Sequence, residues 1–392
     1  MPSFSFVLRC CLLFLMILTS QTLSVSQPLR EEAEGNLPQY IEVTLTNLIE
    51  ATSSTKQYPS VSQLDTILQF VTSTNEQAHK ILPATRDCGK GIFYKTTINT
   101  PLSTLIKYFL NPEIPGEALY PTSIRRNVWQ EGSEILQDSN IFLTTPLPPQ
   151  KPIFSRGTEY EEITPDISSG CYYSYILKRL FILYKFKSET VFITVSFMPK
   201  ESSVGLRGGV IGKDTEWDYV YGPDVGTNLP MLTWAKTYLY GSATINIFTQ
   251  KPNSPTTDIY IFKWTSAGWS GMNVVTHKHI RNGVIRFISG LKQIMESPYL
   301  PSEQEIIKKH SELNTMSLNE LQSALKPFAS KLATKSLKDS TLSKDNFQKI
   351  LKNDVYPTTL TKENAVAELL KRYMKQKINQ TVEGKTPTTS KK

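Results

Sequence analysis

The spacing of hydrophobic residues divides the chain into a helical beginning, a strand-rich middle and a helical end. Apolar residues recur at 3.6-residue spacing from Leu37 to Ile49 and predict the first helix. Ser60 and Gln63 form a capping-box pattern that predicts the start of a second helix, which Pro83 ends. Because short helices depend on tertiary packing for their stability, we expect these two to form a hairpin packed on a larger body.

The middle of the chain is rich in strand patterns. Thr100 and Pro101 supply an N-cap and a first-turn proline for one short helix, which ends at Leu110. Glycines between residues 205 and 212 indicate a flexible loop, and Gly241 marks a bend within a long strand. The predicted strands are Ile92–Ile98, Ile124–Trp129, Ile141–Leu143, Tyr172–Phe186, Thr190–Met198, Trp217–Tyr221, Thr233–Thr249 and Thr257–Trp264.

The most regular helix pattern follows the last of these strands. Its apolar stripe runs from Ile280 to Met295, and Pro298 ends it. Gly283 and Gly290 lie on one side of this helix, which we attribute to close packing against a sheet or a ligand. The helices expected after it are Ser302–Leu313, Ser317–Leu332, Ser343–Leu351 and Lys362–Lys377.

The first 26 residues have the pattern of a secretory signal peptide. Arg9 provides a positive charge, Cys10–Leu18 forms an apolar stretch, and small residues precede a cut after Ser26. The alternative is an uncleaved anchor, but an apolar stretch of this length is too short to span a bilayer. We therefore expect a secreted or periplasmic protein.

Two cysteines, Cys88 and Cys171, remain after the signal peptide. An exported chain with two cysteines can close one disulfide, so the predicted pair is Cys88 with Cys171. The alternative is two separate buried thiols.

Composition and charge exclude several classes of protein. The chain has 392 residues, of which 39% are hydrophobic, and its net charge is +8. This composition excludes general disorder and a multi-span membrane protein. Most of the excess charge lies in residues 302–392. This basic tail is either a solvated appendage, disordered after about residue 380, or a contact for an anionic surface or a protein partner. Its one arginine, Arg372, and the predicted export argue against a nucleic acid partner.

Motifs of common enzymes are absent from the sequence. There is no nucleophile elbow, P-loop, zinc-protease helix or dinucleotide-binding glycine pattern. His277 and His279 would face one way on an extended chain, but no third ligand accompanies them. We therefore expect no metal, no cofactor and no enzymatic activity.

Two groups of carboxylates are the remaining chemical candidates. The first is the alternating set Asp214, Glu216 and Asp218, which on a strand would point one way. It would hold Ca²⁺ or form a solvated edge, and we favour the edge. The second is the run Glu159, Glu161 and Glu162. A glycosidase pair within these sets makes a hydrolase the third hypothesis for function, although nothing singles out an acid and a nucleophile.

The predicted elements of residues 88–298 follow a distinctive order. A strand at Ile92 leads through the turn Ile98–Leu102 into a short helix, antiparallel strands follow, and a long amphipathic helix ends near Glu296. This order resembles that of the START-like (helix-grip) superfamily. The resemblance implies an α+β fold in which a curved antiparallel sheet grips a long amphipathic helix, with an N-terminal helical hairpin and a C-terminal helical tail. It also implies a site for an apolar ligand inside the grip.

Aromatic residues on the predicted strands and the apolar face of the long helix are the candidate ligand-binding positions. Aromatic ladders either line a ligand cavity or pack across strands in a core. The candidates are Tyr173, Tyr175, Trp234, Tyr238, Val284, Phe287 and Leu291.

The predicted organisation has four parts. They are a signal peptide (1–26), an N-terminal helical segment (27–87), a helix-grip-like α+β domain (88–298) and a basic helical tail (299–392). The leading hypothesis is an exported, non-enzymatic protein that binds an apolar or amphiphilic, lipid-like ligand in a START-like cavity. The second is an interaction protein with a solid core, whose basic tail contacts a partner or an anionic surface.

Overall fold

A large antiparallel sheet occupies the centre of the fold. The computed structural model describes residues 36–53, 56–74, 80–229, 232–337, 347–351 and 355–379, so the predicted signal peptide and the segment after residue 380 lie outside the described residues. The strands are β1 (Lys90–Ile98), β2 (Ile124–Trp129), β3 (Ile153–Ile163), β4 (Cys171–Tyr172), β5 (Ser174–Phe186), β6 (Glu189–Phe197), β7 (Leu206–Val210), β8 (Tyr219–Val225), β9 (Thr237–Gln250), β10 (Thr257–Trp269) and β11 (Met272–Asn273).

Helices precede, interrupt and follow the strands. They are α1 (Gln39–Glu50), α2 (Val61–Ser73), α3 (Leu102–Phe109), α4 (Gly116–Leu119), α5 (Ile135–Thr144), α6 (His277–Met295), α7 (Glu303–Thr315), α8 (Leu318–Ser336), α9 (Phe347–Leu351), α10 (Val355–Thr358) and α11 (Lys362–Ile378). The described residues belong to one compact unit.

The large sheet has the strand order β1-β10-β9-β6-β5-β3-β2, with every pair antiparallel and β11 added to β10. A second sheet contains β4, β7 and β8. The register between β9 and β10 shifts next to Gly241, between Ser266 and Ala267. This irregularity confirms the break in the strand that the glycine predicts.

Side chains along each strand of the large sheet alternate between its two faces. Each face carries a buried apolar cluster. On β10, Phe262 and Trp264 belong to one apolar cluster, whereas Ile259 and Ile261 belong to another. The helices α1 and α2 supply apolar residues to the first cluster and thus cover one face. The capping box of α2 is present, as the sequence predicts: Ser60 accepts from the backbone N–H of Gln63, whose side chain accepts from the N–H of Ser60.

The opposite face, here called the inner face, is covered by the remaining helices. Residues of the helices α3 to α11 share one apolar cluster with this face. The helix α6 packs on β1, β10 and α4. Its buried residues are Ile280, Val284, Ile288, Gly290, Leu291, Ile294 and Met295, which confirms the predicted stripe. A Cβ on Gly290 would lie 2.2 Å from Thr122 Oγ1, whereas one on Gly283 would meet nothing within 4 Å. Close packing therefore explains Gly290 alone.

Two local predictions are wrong, and one strand was missed. The predicted strand Ile141–Leu143 is the end of helix α5, since a short apolar run fits either structure. The predicted loop at residues 205–212 contains β7, whose glycines Gly208 and Gly209 are buried against the rest of the fold. The strand β3 was not predicted, because its polar residues conceal the strand pattern.

The predicted disulfide is not formed in the structure. Cys88 and Cys171 are separate buried thiols. Cys88 lies against Gly241, and Sγ of Cys171 is 3.5 Å from Thr237 Oγ1. Thr237 and Gly241 are separated by about 13 Å along an extended strand. A disulfide requires Cα atoms within about 7 Å. The alternative of two buried thiols is the one that the structure contains.

The fold is therefore α+β, with a large antiparallel sheet and several helices. No helix within the described ranges is both long and apolar enough to cross a membrane.

Candidate functional site

The inner face changes from apolar to polar along the strands. One row of residues, paired across five strands, is apolar and belongs to the main cluster. It consists of Ile259, Phe248, Phe192, Leu183 and Ile153. Four positions along the strands, on the same face, the corresponding row consists of Lys263, Thr244, Ser196, Arg179 and Gly157. The polar part of the inner face is therefore a contiguous surface contributed by β3, β5, β6, β9 and β10.

Lys263 is the charged residue that β10 contributes to this polar surface. Its Nζ donates to Ser242 Oγ and to Thr244 Oγ1, each at 3.0 Å, on the neighbouring strand β9. No carboxylate of the described residues lies within 4.0 Å of this Nζ. Burial lowers the pKa of Lys263, and the charge of Glu161 counteracts this only in part. The ammonium group is thus held by neutral hydroxyls in a poorly solvated position.

The carboxylates of β3 have local partners instead. Arg179 Nη1 donates to Glu159 Oε2 at 2.8 Å, and Asn127 Nδ2 donates to the other oxygen of Glu159. Tyr175 OH donates to Glu161 Oε1 at 2.6 Å. Burial and the charge of Glu159 raise the pKa of Glu161. Glu159 and Glu161, two of the acids in the predicted glycosidase set, therefore lie on the inner face, where they accept hydrogen bonds from neighbouring strands.

Aromatic rings pack between α6 and the apolar row of the inner face. The ring of Phe287 stacks on Tyr120 at 4.9 Å between centroids, and Tyr120 also contacts Phe109 at 5.7 Å. Burial raises the pKa of Tyr120, and the charges of Arg179 and Glu159 also act on this pKa. Among the described residues, the Tyr120 hydroxyl has no hydrogen-bond partner.

The candidate residues from the sequence fall into three environments. Val284 and Leu291 are buried in the main cluster, and Phe287 packs beside them. Tyr175 lies on the inner face through its bond to Glu161. The others lie elsewhere. Tyr173 is buried and donates to Thr237, Tyr238 stacks on Tyr240, and Trp234 is 75% exposed.

Sequence reasoning missed Lys263, Arg179 and Tyr120. A signal for Lys263 exists, because the residue interrupts the apolar run Ile259–Trp264 on a central strand. A charged side chain in such a run is seldom buried without a partner or a function. No comparable signal marks Tyr120, which reaches the site only through the turn after α4.

A second group of charges lies on the turn formed by residues 214–218, here called the acidic turn. Asp214 pairs with Arg286 of α6 at 2.7 Å. Asp218, which is fully buried, pairs with Lys335 at 2.7 Å and with Arg372 at 2.8 Å. Glu216 also pairs with Lys335. The expected solvated edge is therefore wrong: α8 and α11 fold back and place their cations on these carboxylates.

A third group lies beneath α11. Glu117, Glu368 and Lys371 are all buried, and Lys371 Nζ is 3.7 Å from Glu368 Oε1. Burial raises the pKa of Glu117 to about 7 and lowers that of Lys371 to about 8. These groups lie between α4 and the C-terminal helices, away from the inner-face site.

A groove on the outer side of α6 is open to solvent. Its volume is about 490 Å³, and its lining includes Ser289, Lys292 and Gln293 of α6, Glu296 directly after the helix, and Thr215 and Ile378. Within the described part of the chain, no three His, Cys, Asp or Glu side chains are grouped so that they could hold a metal ion.

Comparison with known proteins gives no match: no protein-family model matches the chain, and no curated protein matches it. The chemistry of the inner face is therefore the basis for assigning a function.

Proposed function

We propose that this chain binds an apolar or amphiphilic small molecule between the inner face and α6. The state of the polar inner-face side chains supports this proposal. Glu161, Tyr175 and Lys263 are only half-buried, yet they lie deep enough for burial to raise the pKa of Glu161 and to lower that of Lys263. Protein interiors are close-packed, so side chains that are deep and still accessible border a recess.

The two sides of such a recess differ in polarity. The side chains of Phe287 and Tyr120 supply aromatic surface on the helix side. The strand side supplies hydroxyl, amide and charged groups, with Lys263 and Arg179 in one row. Ligand sites typically combine a predominantly apolar lining with a few placed polar groups. An amphiphile would satisfy both sides, and the helix-grip arrangement is the architecture we propose for this site.

The basic tail is a weaker candidate for the main function. Lys331, Lys335, Arg372 and Lys375 all lie within 3.5 Å of Asp218. These cations are engaged within the chain. We therefore place the ligand site, and not an anionic surface, at the centre of the proposal.

The proposal is tested by analysing what the chain carries and what it binds. Native mass spectrometry and organic extraction of the purified protein should reveal a bound amphiphile, and an apolar fluorescent dye should bind and be displaced by it. Replacing Ser196 with Phe would fill the recess beside Thr244 and Arg179, so dye affinity should fall at least tenfold.

The matched control is Gln69→Phe, which adds the same ring to an exposed position of α2, on the opposite side of the sheet. It should leave dye affinity unchanged. An empty extract together with an absence of dye binding would remove the proposal. Equal affinities in the Ser196→Phe and Gln69→Phe variants would place the dye elsewhere and would contradict the assigned site.

A further inference from the structure

We infer that the ligand of the inner face carries a carboxylate head group, and that Lys263 binds this group. This inference rests on the proposed function and adds the chemical class of the ligand. It begins from the unequal pairing of positive and negative groups on the inner face.

Every other charged group of the site has a counter-charge or a strong donor. Glu159 is paired with Arg179 at 2.8 Å, and Glu161 accepts from Tyr175 at 2.6 Å. Lys263 differs from them, because its two hydrogen-bond partners are the neutral hydroxyls of Ser242 and Thr244. An ammonium group has three donors, so one N–H of Lys263 remains for a further acceptor.

An unpaired ammonium in a poorly solvated position is costly, and an anion beside it removes much of that cost. The Lys263 side chain is only partly buried, and the proposed recess would give a ligand access to its charged end. Glu161 interacts with it over a longer distance but lies outside ion-pair range. A carboxylate of the ligand would supply the missing partner for Lys263.

Nearby groups would complete the binding of a carboxylate, which has two acceptor oxygens. The hydroxyl of Tyr120 has no hydrogen-bond partner within the described ranges, and the charges of Arg179 and Glu159 act on its pKa. A cationic head group is disfavoured, because it would meet the charge of Lys263 while both nearby acids already have donors. The aromatic pair Phe287 and Tyr120 would contact the apolar part of the same molecule.

The test compares three ligands with the same twelve-carbon chain: dodecanoic acid, dodecanol and dodecylamine. Each displaces an apolar dye from the wild-type chain that begins at Gln27. We expect the acid to bind at least tenfold more tightly than the alcohol, and the amine to bind most weakly. This comparison needs no variant, so it stands even if a substitution prevents folding.

The variant Lys263→Met should reduce the affinity for dodecanoic acid at least tenfold and leave the affinity for dodecanol within twofold. The control Lys185→Met removes an exposed lysine of β5 and should change neither. Equal binding of acid and alcohol by the wild-type chain would overturn the carboxylate and leave the proposed ligand site in place. Loss of binding of all three ligands and of the dye would overturn both.

Discussion

The acidic turn allows a quantitative prediction about the attachment of the C-terminal helices. Asp218 has no exposed side-chain surface and is bound by Lys335 and Arg372 at 2.7 and 2.8 Å, with Lys331 and Lys375 at 3.3 and 3.5 Å. The substitution Asp218→Asn keeps the shape of the side chain and removes its charge. It therefore isolates the contribution of the ion pairs.

The expected cost follows from the burial of each partner. Removing one partner of a buried ion pair typically costs about 3–5 kcal/mol. The cations around Asp218 retain some access to water, from 17% for Arg372 to 47% for Lys331, so they recover part of their hydration. We therefore expect Asp218→Asn to lower the free energy of unfolding by about 3 kcal/mol, at the lower end of that range.

Urea unfolding followed by circular dichroism measures this change, and limited proteolysis measures where it acts. Cleavage should begin within α8 and α11 in the variant, because their cations hold these helices on the turn. The control is Glu216→Gln, since Glu216 is 38% exposed and should contribute less than about 1 kcal/mol. A change below about 0.5 kcal/mol in Asp218→Asn would refute the reasoning, because it would show that the four cations lose nothing when the charge is removed.

The same site predicts a pH dependence. Burial alone would raise the pKa of Asp218, but the hydrogen bond from Lys335 and the charges of Lys375 and Arg372 outweigh it and hold the pKa below its usual value. A carboxyl whose pKa is lowered by folding stabilises the folded state above its unfolded pKa, here 3.8, and loses that contribution as the pH falls further. The difference in stability between the wild-type and Asp218→Asn proteins should therefore shrink as the pH falls below 3.8.

Three further predictions concern buried positions. Because burial raises the pKa of Glu117 to about 7, the folded state retains a proton that the unfolded state loses above 4.5, so stability should fall by about 3 kcal/mol between these pH values. Urea titrations at pH 5 and pH 8 should show this loss in the wild type and not in Glu117→Gln; an equal loss in both would exclude Glu117 as its source. Gly290→Ala should destabilise the protein by about 1–3 kcal/mol through overpacking, whereas Gly283→Ala on the same helix should stabilise it by about 0.5–1 kcal/mol. Thermal unfolding measures both changes, and two changes of the same sign would contradict the packing. Thiol titration of the unfolded, unreduced chain from Gln27 should find two free thiols, Cys88 and Cys171, and a count of zero would restore the disulfide.

The helices were largely predictable because their signals are local. The capping box that begins α2 involves two residues three positions apart, and it forms as the sequence indicates. The stripe of α6 likewise reflects neighbours within one or two turns. The strand predicted at Ile141–Leu143 was wrong because three apolar residues carry too little periodicity to distinguish a strand from a helix.

The charged groups show what local patterns leave open. The alternation of Asp214, Glu216 and Asp218 predicts three carboxylates on one exposed strand face, yet a turn separates them. Asp218 is buried by cations more than 110 positions later in the chain. The local sequence would be the same whether these carboxylates were solvated or buried. The distant cations determine which of the two occurs.

The sequence by itself determined most of the helical segments, where their apolar faces lie and that a strand-rich core follows an N-terminal hairpin, because these properties depend on residues within a few positions of one another. Only the tertiary structure decided that Lys263 faces hydroxyls while the acids of β3 have their own donors, and that the basic helices return to the acidic turn. Strand register and the packing of distant helices set those pairings, and both result from the free energy of burying the whole chain, which no short segment contains.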